Sequence, residues 1–366
     1  MRDPRDEQYA KLLVETCIDV RPGWQVLVSS GVLGRPLFEE VCRAIAERGA
    51  YVIPRVGFEG FLGGPNIWIK TASDELLSTP PPLEEHTLLN VDAIMAIVAP
   101  ENTRQSADIE GRRMQLLAKG AERIQERMIS GEVPWVGCQY PTSALAQDAG
   151  MTLEQFADFL YGAVLLDWDA ERERMKKIKE LFDGASEVRI VGRGTDVRIG
   201  LEGREGKIDA AGANIPGGEV FYSPVEDSAE GVIEFSEFPP LYAGREITNI
   251  RFRFEGGRVV EATAGSNEDF LLETLDTDEG ARRLGELGIG CNPGITRYMK
   301  NTLFDEKING TVHLAVGRGF PELGGTNVSA IHWDIVKDVR EEGRIELDGE
   351  VVQENGEWAH ELAVHG

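Results

Sequence analysis

The first half of the chain alternates short apolar runs with longer segments of helical periodicity. The apolar runs predict buried strands at Trp24–Ser29, Tyr51–Val56, Asp92–Val98 and Pro134–Cys138. The segments between them predict amphipathic helices at about 35–48 and 106–128. Repeated strand–helix alternation is typical of a sheet covered by helices, so we predict an N-terminal Rossmann-like parallel α/β domain. Neither glycine-rich phosphate-binding fingerprint is present, and no nucleotide is predicted.

The pattern changes after a long helical stretch at 152–183, which opens with Thr152 and Gln155 in the spacing of a capping box. Beyond it, short alternating segments separated by glycines predict antiparallel strands at 188–191, 195–200, 232–235, 250–254 and 258–261, and a hairpin at 344–353. We therefore predict an α/β domain over 1–184 and a C-terminal α+β domain, rich in antiparallel strands, over 185–366.

The chain has 366 residues and a formal net charge of −25. This acidic balance argues against nucleic acid or an anionic membrane as the main partner, and it favours the local concentration of cations. No apolar run approaches the roughly 18 residues of a membrane-spanning helix. The four cysteines are scattered without Cys-x-x-Cys spacing. They predict neither a disulfide framework nor a thiolate zinc site, and they fit a cytoplasmic location.

Two histidines lie in neighbouring apolar runs of the C-terminal half, although the whole chain contains only five. His332 and Asp334 are two positions apart in the run 329–336, which predicts a strand, so both side chains project from one face. His313 lies within a second predicted strand, Thr311–Gly317. Imidazole and carboxylate are both metal-ligand groups, and their arrangement predicts a metal site. Taken alone, His313 fits equally well as a hydrogen-bonded core histidine.

Three glutamates occupy positions where an unpartnered carboxylate would be costly. Glu219 enters an apolar strand directly after two glycines, Glu286 is the only charge in the run 284–291, and Glu306 precedes the His313 strand. Singly, Glu219 fits a turn residue and Glu306 a charge at a helix end. Together with the histidines and Asp334, they form a carboxylate and imidazole set without thiolate. Such a set suits Zn, Co or Mn and is typical of two-metal hydrolytic sites, in which one carboxylate bridges the ions.

Four ordered motifs, at 219–228, 285–294, 303–317 and 324–334, resemble those of the M29 family of thermophilic metallo-aminopeptidases. The resemblance covers most of the chain and is weakest in the N-terminal domain. It implies two divalent metal ions, removal of N-terminal residues from peptides with a free N-terminus, and a homodimer whose site faces an internal cavity. It also implies metal ligands at Glu219, Glu286, Glu306, His313, His332 and Asp334.

One position departs from the family pattern. The family often has a tyrosine near the reaction centre, seven residues after the ligand histidine, where this chain has Phe320. A phenylalanine cannot donate a hydrogen bond to a tetrahedral oxyanion, and the loss of one such donor lowers the rate by about 10²–10³. Either Tyr222, Tyr298 or Arg318 supplies the donor, or the activity is reduced or altered.

We therefore expect a metal-dependent aminopeptidase in which a carboxylate takes a proton from a metal-activated water. Glu219 and Glu286 are the expected catalytic residues, with Glu219 the first candidate for the base and Glu226 the second. Glu226 fits equally well as a structural cap of its motif. The competing hypothesis is a metal-binding homologue that has lost or altered its activity, which the phenylalanine at 320 favours. A third possibility is hydrolysis of another small amide.

Overall fold

A computed structural model of the chain describes residues 3–58, 65–242 and 244–359. The chain divides into two compact units, Met1–Leu165 with Ala211–Pro216, and Leu166–Ala210 with Gly217–Gly366. The first unit contains a parallel sheet and the second contains antiparallel sheets, which confirms the predicted fold class. Among the described helices, none is both long enough and apolar enough to cross a membrane.

The helices and strands follow in chain order. The helices are α1 (Arg5–Lys11), α2 (Arg35–Glu47), α3 (Asn66–Thr71), α4 (Asp74–Ser78), α5 (Pro82–Asn90), α6 (Gly111–Ile129), α7 (Ser143–Asp148), α8 (Leu153–Val164), α9 (Trp168–Asp183), α10 (Glu268–Leu275) and α11 (Thr302–Asp305). The strands are β1 (Gln25–Gly31), β2 (Tyr51–Gly57), β3 (Ala93–Val98), β4 (Trp135–Gln139), β5 (Glu187–Gly192), β6 (Thr195–Gly200), β7 (Lys207–Asp209), β8 (Asn214–Ile215), β9 (Glu219–Tyr222), β10 (Glu230–Phe235), β11 (Leu241–Tyr242), β12 (Arg245–Glu246), β13 (Ile250–Glu255), β14 (Arg258–Thr263), β15 (Leu284–Gly290), β16 (Thr311–Gly317), β17 (His332–Asp338), β18 (Arg344–Leu347), β19 (Glu350–Glu354) and β20 (Glu357–Trp358). A π-helical segment at Leu12–Cys17 and 3-10 turns at Val32–Gly34 and Pro321–Leu323 lie between them.

The sheet of the first unit has the order β2-β1-β3-β4-β8, and all of its neighbouring strands are parallel. Leu27 of β1 and Ile94 of β3 pack in one buried cluster with Leu88 of α5 and Ile124 of α6. The four strands predicted for this domain are confirmed. The fifth strand, β8, was not predicted, because it comes from the segment that returns to the first unit after residue 210.

Two helix predictions need correction. The segment predicted to be helical from residue 106 becomes a helix only at Gly111, because the extended backbone at Glu110 interrupts the helical hydrogen-bond pattern. The helix predicted over 152–183 is two helices. Thr152 forms the predicted capping box at the start of α8, but a new helix begins after Asp167, whose side chain accepts a hydrogen bond from the backbone N–H of Ala170.

The second of these helices, α9, belongs to the second unit. Its Phe182 stacks on Tyr222 of β9 with ring centroids 5.8 Å apart, and it also contacts Trp358 of β20. The units therefore separate at Leu165–Leu166 and not near residue 184, because α9 buries its apolar face within the second unit. That each unit is a separate domain stays a prediction.

Two antiparallel sheets dominate the second unit. One has eight strands in the order β14-β13-β10-β6-β5-β18-β19-β20, and it includes the predicted C-terminal hairpin as β18 and β19. The other has five strands in the order β17-β16-β15-β9-β7. Every residue of β15 and of β16 is buried. Polar side chains on these two strands are therefore held in a protein interior with little freedom to move.

Candidate metal centre

Three neighbouring strands of the five-stranded sheet carry four of the predicted ligands. Glu286 lies on β15, His313 on β16, and His332 and Asp334 on β17. The central strand β16 pairs with both neighbours, and its Ala315 lies opposite Asp334. The predicted strand around His332 is confirmed, although it begins at His332 itself.

Glu286 lies between the two histidines and directs one carboxylate oxygen at each. Its Oε1 lies 3.4 Å from Nε2 of His313, and its Oε2 lies 2.9 Å from Nε2 of His332. Oε2 of Glu219 lies 3.5 Å from Nε2 of His313, and Oδ1 of Asp334 lies 3.5 Å from Nε2 of His332. The ligand atoms form two groups, Glu219 with Glu286 and His313, and Glu286 with His332 and Asp334, each within 4.8 Å.

The glycine spacing of β15 gives His313 its place. Gly288 lies opposite His313 on one side and opposite Phe221 of β9 on the other. A methyl group at Gly288 would overlap the imidazole ring of His313. Glycine at 288 therefore allows close approach at the site, because the His313 ring occupies the space that a side chain there would need.

Glu306 stands apart from both groups, and its partner was missed by sequence reasoning. Among the described residues it contacts Lys307, whose side chain is fully buried and whose Nζ lies 3.3 Å from Oε1 of Glu219. The available signal was weak, because a lysine next to a glutamate usually belongs to a solvated surface. Only the tertiary structure shows that this lysine lies inside, between carboxylates from β9 and from the end of α11.

The charges of the cluster shift one another's proton affinities. Burial raises the pKa of Glu219 to about 8, although Lys307 opposes the shift. Burial alone would lower the pKa of His313, but Glu286 and Glu219 raise it to about 9. Likewise, burial would raise the pKa of Asp334, but His332 lowers it to about 2. The imidazoles thus hold protons that a metal ion would displace, because a histidine binds metal in its neutral form.

The residues present fit a divalent cation. Among the described residues, no hydrogen bond reaches Oδ1 of Asp334, although this atom is buried and faces Nε2 of His332. Nδ1 of His332 lies 2.8 Å from the carbonyl oxygen of Arg318, which only accepts hydrogen bonds. Nδ1 therefore carries the hydrogen, and Nε2 points toward the carboxylates, as in many histidine metal ligands. Carboxylate and imidazole donors of this kind suit Zn, Co or Mn.

Two of the three groups that could replace the missing tyrosine hydroxyl, those of Tyr222 and Tyr298, are held in other hydrogen bonds. The Phe320 ring lies 5.2 Å from the His332 ring, beside the cluster. The hydroxyl of Tyr222 is held by the carbonyl oxygen of Lys179, at 3.0 Å, and the hydroxyl of Tyr298 by that of Pro239. Both hydroxyls are therefore already used in structural hydrogen bonds.

Glu226, the second candidate for the base, is bound to a neighbouring loop. Its Oε1 accepts hydrogen bonds from the backbone N–H and the hydroxyl of Thr326, and its Oε2 lies 2.8 Å from Nη2 of Arg204. Burial would raise the pKa of Glu226, but the hydrogen bonds from Thr326 lower it. These contacts favour the structural role over the catalytic one.

Comparison with known proteins extends these observations. The sequence profile of the family described as thermophilic metalloprotease (M29) matches residues 2–358. Aminopeptidase 2 of Geobacillus stearothermophilus is 26% identical, over 98% of this chain and 98% of that protein. The solved structure of wild-type AmpT from Thermus thermophilus is similar with a TM-score of 0.82 at 22% identity, over 97% of this chain and 99% of that one. A 2,5-dihydroxypyridine dioxygenase from Pseudomonas putida KT2440 has a TM-score of 0.60 at 14% identity, over 97% of both chains. The similarity to these two solved structures shows that the chain shares their fold.

Proposed function

The chain belongs to the thermophilic metalloprotease (M29) family, and from this premise we propose that it is an aminopeptidase that uses two divalent metal ions. The family makes it a metallopeptidase. The similarity to Aminopeptidase 2 along almost the whole chain supports peptides with a free N-terminus as substrates.

The observation that carries the two-metal proposal is the position of Glu286. Its two carboxylate oxygens face different histidines, and it belongs to both groups of potential ligand atoms. A carboxylate in this position is suited to bridge two ions, as in many two-metal hydrolases. Glu219 and His313 would complete one ion position, and His332 and Asp334 the other.

Glu306 is the sixth proposed ligand. It lies beside the ion position of Glu219 and His313, because Glu306 and Glu219 both contact Nζ of Lys307. We propose Zn, Co or Mn as the ions, because carboxylate and imidazole donors suit these metals.

Bound divalent ions would acidify a water molecule and polarise the scissile carbonyl group. Glu219 would accept the proton of that water, because one of its oxygens is oriented by Lys307 and the other faces the cluster. Glu286 would hold the two halves of the site at a fixed separation. The strands that carry these two residues are mostly buried and pair with each other, so the donors are held in place before a substrate arrives.

Arg318 is our candidate for the donor that replaces the missing tyrosine hydroxyl. Its carbonyl oxygen binds His332, and its side chain is exposed. A guanidinium group can donate hydrogen bonds to a developing oxyanion, which the ring of Phe320 cannot. The alternatives, Tyr222 and Tyr298, are held in other hydrogen bonds.

An assay of amino-acid arylamides tests the function directly. Metal-depleted protein is assayed alone and after addition of Zn²⁺, Co²⁺ or Mn²⁺, with N-acetylated arylamides as the matched control. We expect metal-dependent release from substrates with a free amine and none from the acetylated ones. Release from acetylated or non-peptide amides alone would refute the aminopeptidase proposal.

The alternative is a metal-binding protein of altered activity on the same scaffold. A 2,5-dihydroxypyridine dioxygenase shares this fold, and fold alone does not decide chemistry. Metal binding without arylamide release would favour this alternative. We also propose a cytoplasmic location and a homodimer.

A further inference from the structure

Lys307 is a buried cation at the edge of the proposed metal centre. Its side chain is fully buried, its Nζ lies 3.3 Å from Oε1 of Glu219, and it also contacts Oε1 of Glu306. These two glutamates come from separate elements, β9 and the end of α11. One ammonium group therefore joins two buried carboxylates that the chain brings together only on folding.

The electrostatic consequence follows from burial. Carboxylates removed from water are strongly destabilised unless a positive charge or hydrogen bonds compensate them. The cluster contains four carboxylates, from Glu219, Glu286, Glu306 and Asp334, and two of them meet Lys307. An ammonium group at this distance stabilises the carboxylates, but it also repels any second cation that approaches the same oxygens.

We propose that Lys307 is a positioning residue that acts as a permanent counter-cation, holding Glu219 and Glu306 in place without a metal ion and weakening metal binding at the adjacent position. The inference rests on the proposed metal site and adds to it. Such a counter-cation would allow a sheet with several buried carboxylates to fold without metal. It also makes the two ion positions unequal, because the group of Glu286, His332 and Asp334 has no direct ion pair with Lys307.

The variant Lys307→Met tests the proposal, since methionine keeps much of the length of the side chain and removes its charge. Lys337→Met is the matched control. Lys337 is also fully buried, and its Nζ lies 2.8 Å from Oε1 of Glu237, outside the ligand groups. The proteins are produced with metal, stripped with a chelator, and compared by thermal unfolding with and without Zn²⁺. Metal affinities are measured by competition with a chromophoric chelator.

We expect Lys307→Met to lower the unfolding midpoint of the stripped protein far more than that of the metal-loaded protein. We also expect one Zn²⁺ to bind at least about tenfold more tightly, because a neighbouring positive charge has been removed. Lys337→Met should lower both midpoints equally and leave the affinities unchanged. Equal lowering of both midpoints in Lys307→Met, or unchanged affinities, would overturn the proposal.

The double variant Lys307→Met/Glu306→Gln provides a second test if the single variant does not fold when stripped. Removing one carboxylate together with the ammonium restores the balance of charge, so the stripped double variant should fold and unfold at a higher temperature than the single variant. A stripped double variant that is no more stable than the single variant would contradict the counter-cation role. Failure of the wild-type protein to bind any metal ion would instead refute the metal site itself.

Discussion

The rings of Phe320 and His332 lie 5.2 Å apart, centroid to centroid, with their planes inclined at 60°. Phe221 also contacts Phe320, with ring centroids 5.3 Å apart, so an aromatic pair borders the histidine. The contact places residue 320 beside the proposed metal centre, as the sequence resemblance implied. An apolar ring thus occupies a position where a tyrosine would bring a hydroxyl group close to the reacting atoms.

The first prediction concerns the oxyanion donor. Arg318→Gln should lower kcat by about 10²–10³ with a small change in KM, because the lost hydrogen bond acts on the transition state. Tyr222→Phe is the matched control: its hydroxyl bonds a helix carbonyl, so the change should lower stability by about 1 kcal/mol and leave kcat within a few-fold. Steady-state kinetics with a leucine arylamide as substrate measure kcat and KM for both variants and so decide between Arg318 and Tyr222 as the donor. A larger loss of kcat in Tyr222→Phe than in Arg318→Gln would contradict the assignment of Arg318 as the donor.

The second prediction is a rescue. Phe320→Tyr introduced into the Arg318→Gln variant should recover at least about tenfold in kcat, because the new hydroxyl would lie beside His332. In the wild-type background the same change should have little effect, since a donor is already present. Phe320→Leu in the Arg318→Gln background is the control and should recover nothing. Equal recovery by leucine and tyrosine would show that the gain comes from space and not from the hydroxyl.

The third prediction uses the shared position of Glu286. Glu286→Gln should reduce both bound ions, because its oxygens face both histidines, whereas His332→Ala should remove mainly one. The exposed Glu354→Gln is the control for a change of charge and should keep the wild-type content. Elemental analysis after dialysis gives the ratio of metal to protein. An unchanged metal content in both site variants would count against the proposed ligand set.

The fourth prediction concerns the space above Gly288. Gly288→Ala should displace the His313 ring, since the added methyl group would overlap it, and should destabilise the protein by about 1–3 kcal/mol. Metal content and activity should fall together. Gly162→Ala in α8 is the control, because its methyl group would meet open space, and alanine there should be neutral or stabilising. Denaturant unfolding with metal analysis of both variants checks the pair; full metal content in Gly288→Ala would refute the steric argument.

The fifth prediction concerns pH and the first unit. The buried Asp6 accepts a hydrogen bond from the hydroxyl of Tyr161 at 2.6 Å, yet burial raises the pKa of Asp6 above its usual 3.8. As pH rises from 3.8 to the higher folded pKa, the unfolded chain loses the proton first, so wild-type stability falls. Asp6→Asn, whose amide oxygen keeps the hydrogen bond, lacks this loss. It should therefore gain stability relative to wild type between pH 4 and pH 7, as measured by urea unfolding; a pH-independent difference would contradict the shift.

The sequence alone determined the type of each half, and it predicted six ligand residues for the site. Strands separated by helices require a covered parallel sheet, and alternating segments with turns require antiparallel sheets, because side-chain periodicity follows directly from backbone geometry. His332 and Asp334 share a face for the same reason. The helical periodicity could not show the break before α9, because Asp167 caps that helix through a contact that periodicity does not record.

Only the tertiary structure decided how the ligands meet and what surrounds them. The register of β15 with β16 places His313 over Gly288, and the two oxygens of Glu286 face both histidines. The sequence did not identify Lys307 as a site residue, because the charge of a residue and its neighbours in sequence do not reveal whether it is buried. Its position depends on packing between segments far apart along the chain. A lysine that looks like a surface charge is therefore, in this fold, the buried cation beside two of the six predicted ligands.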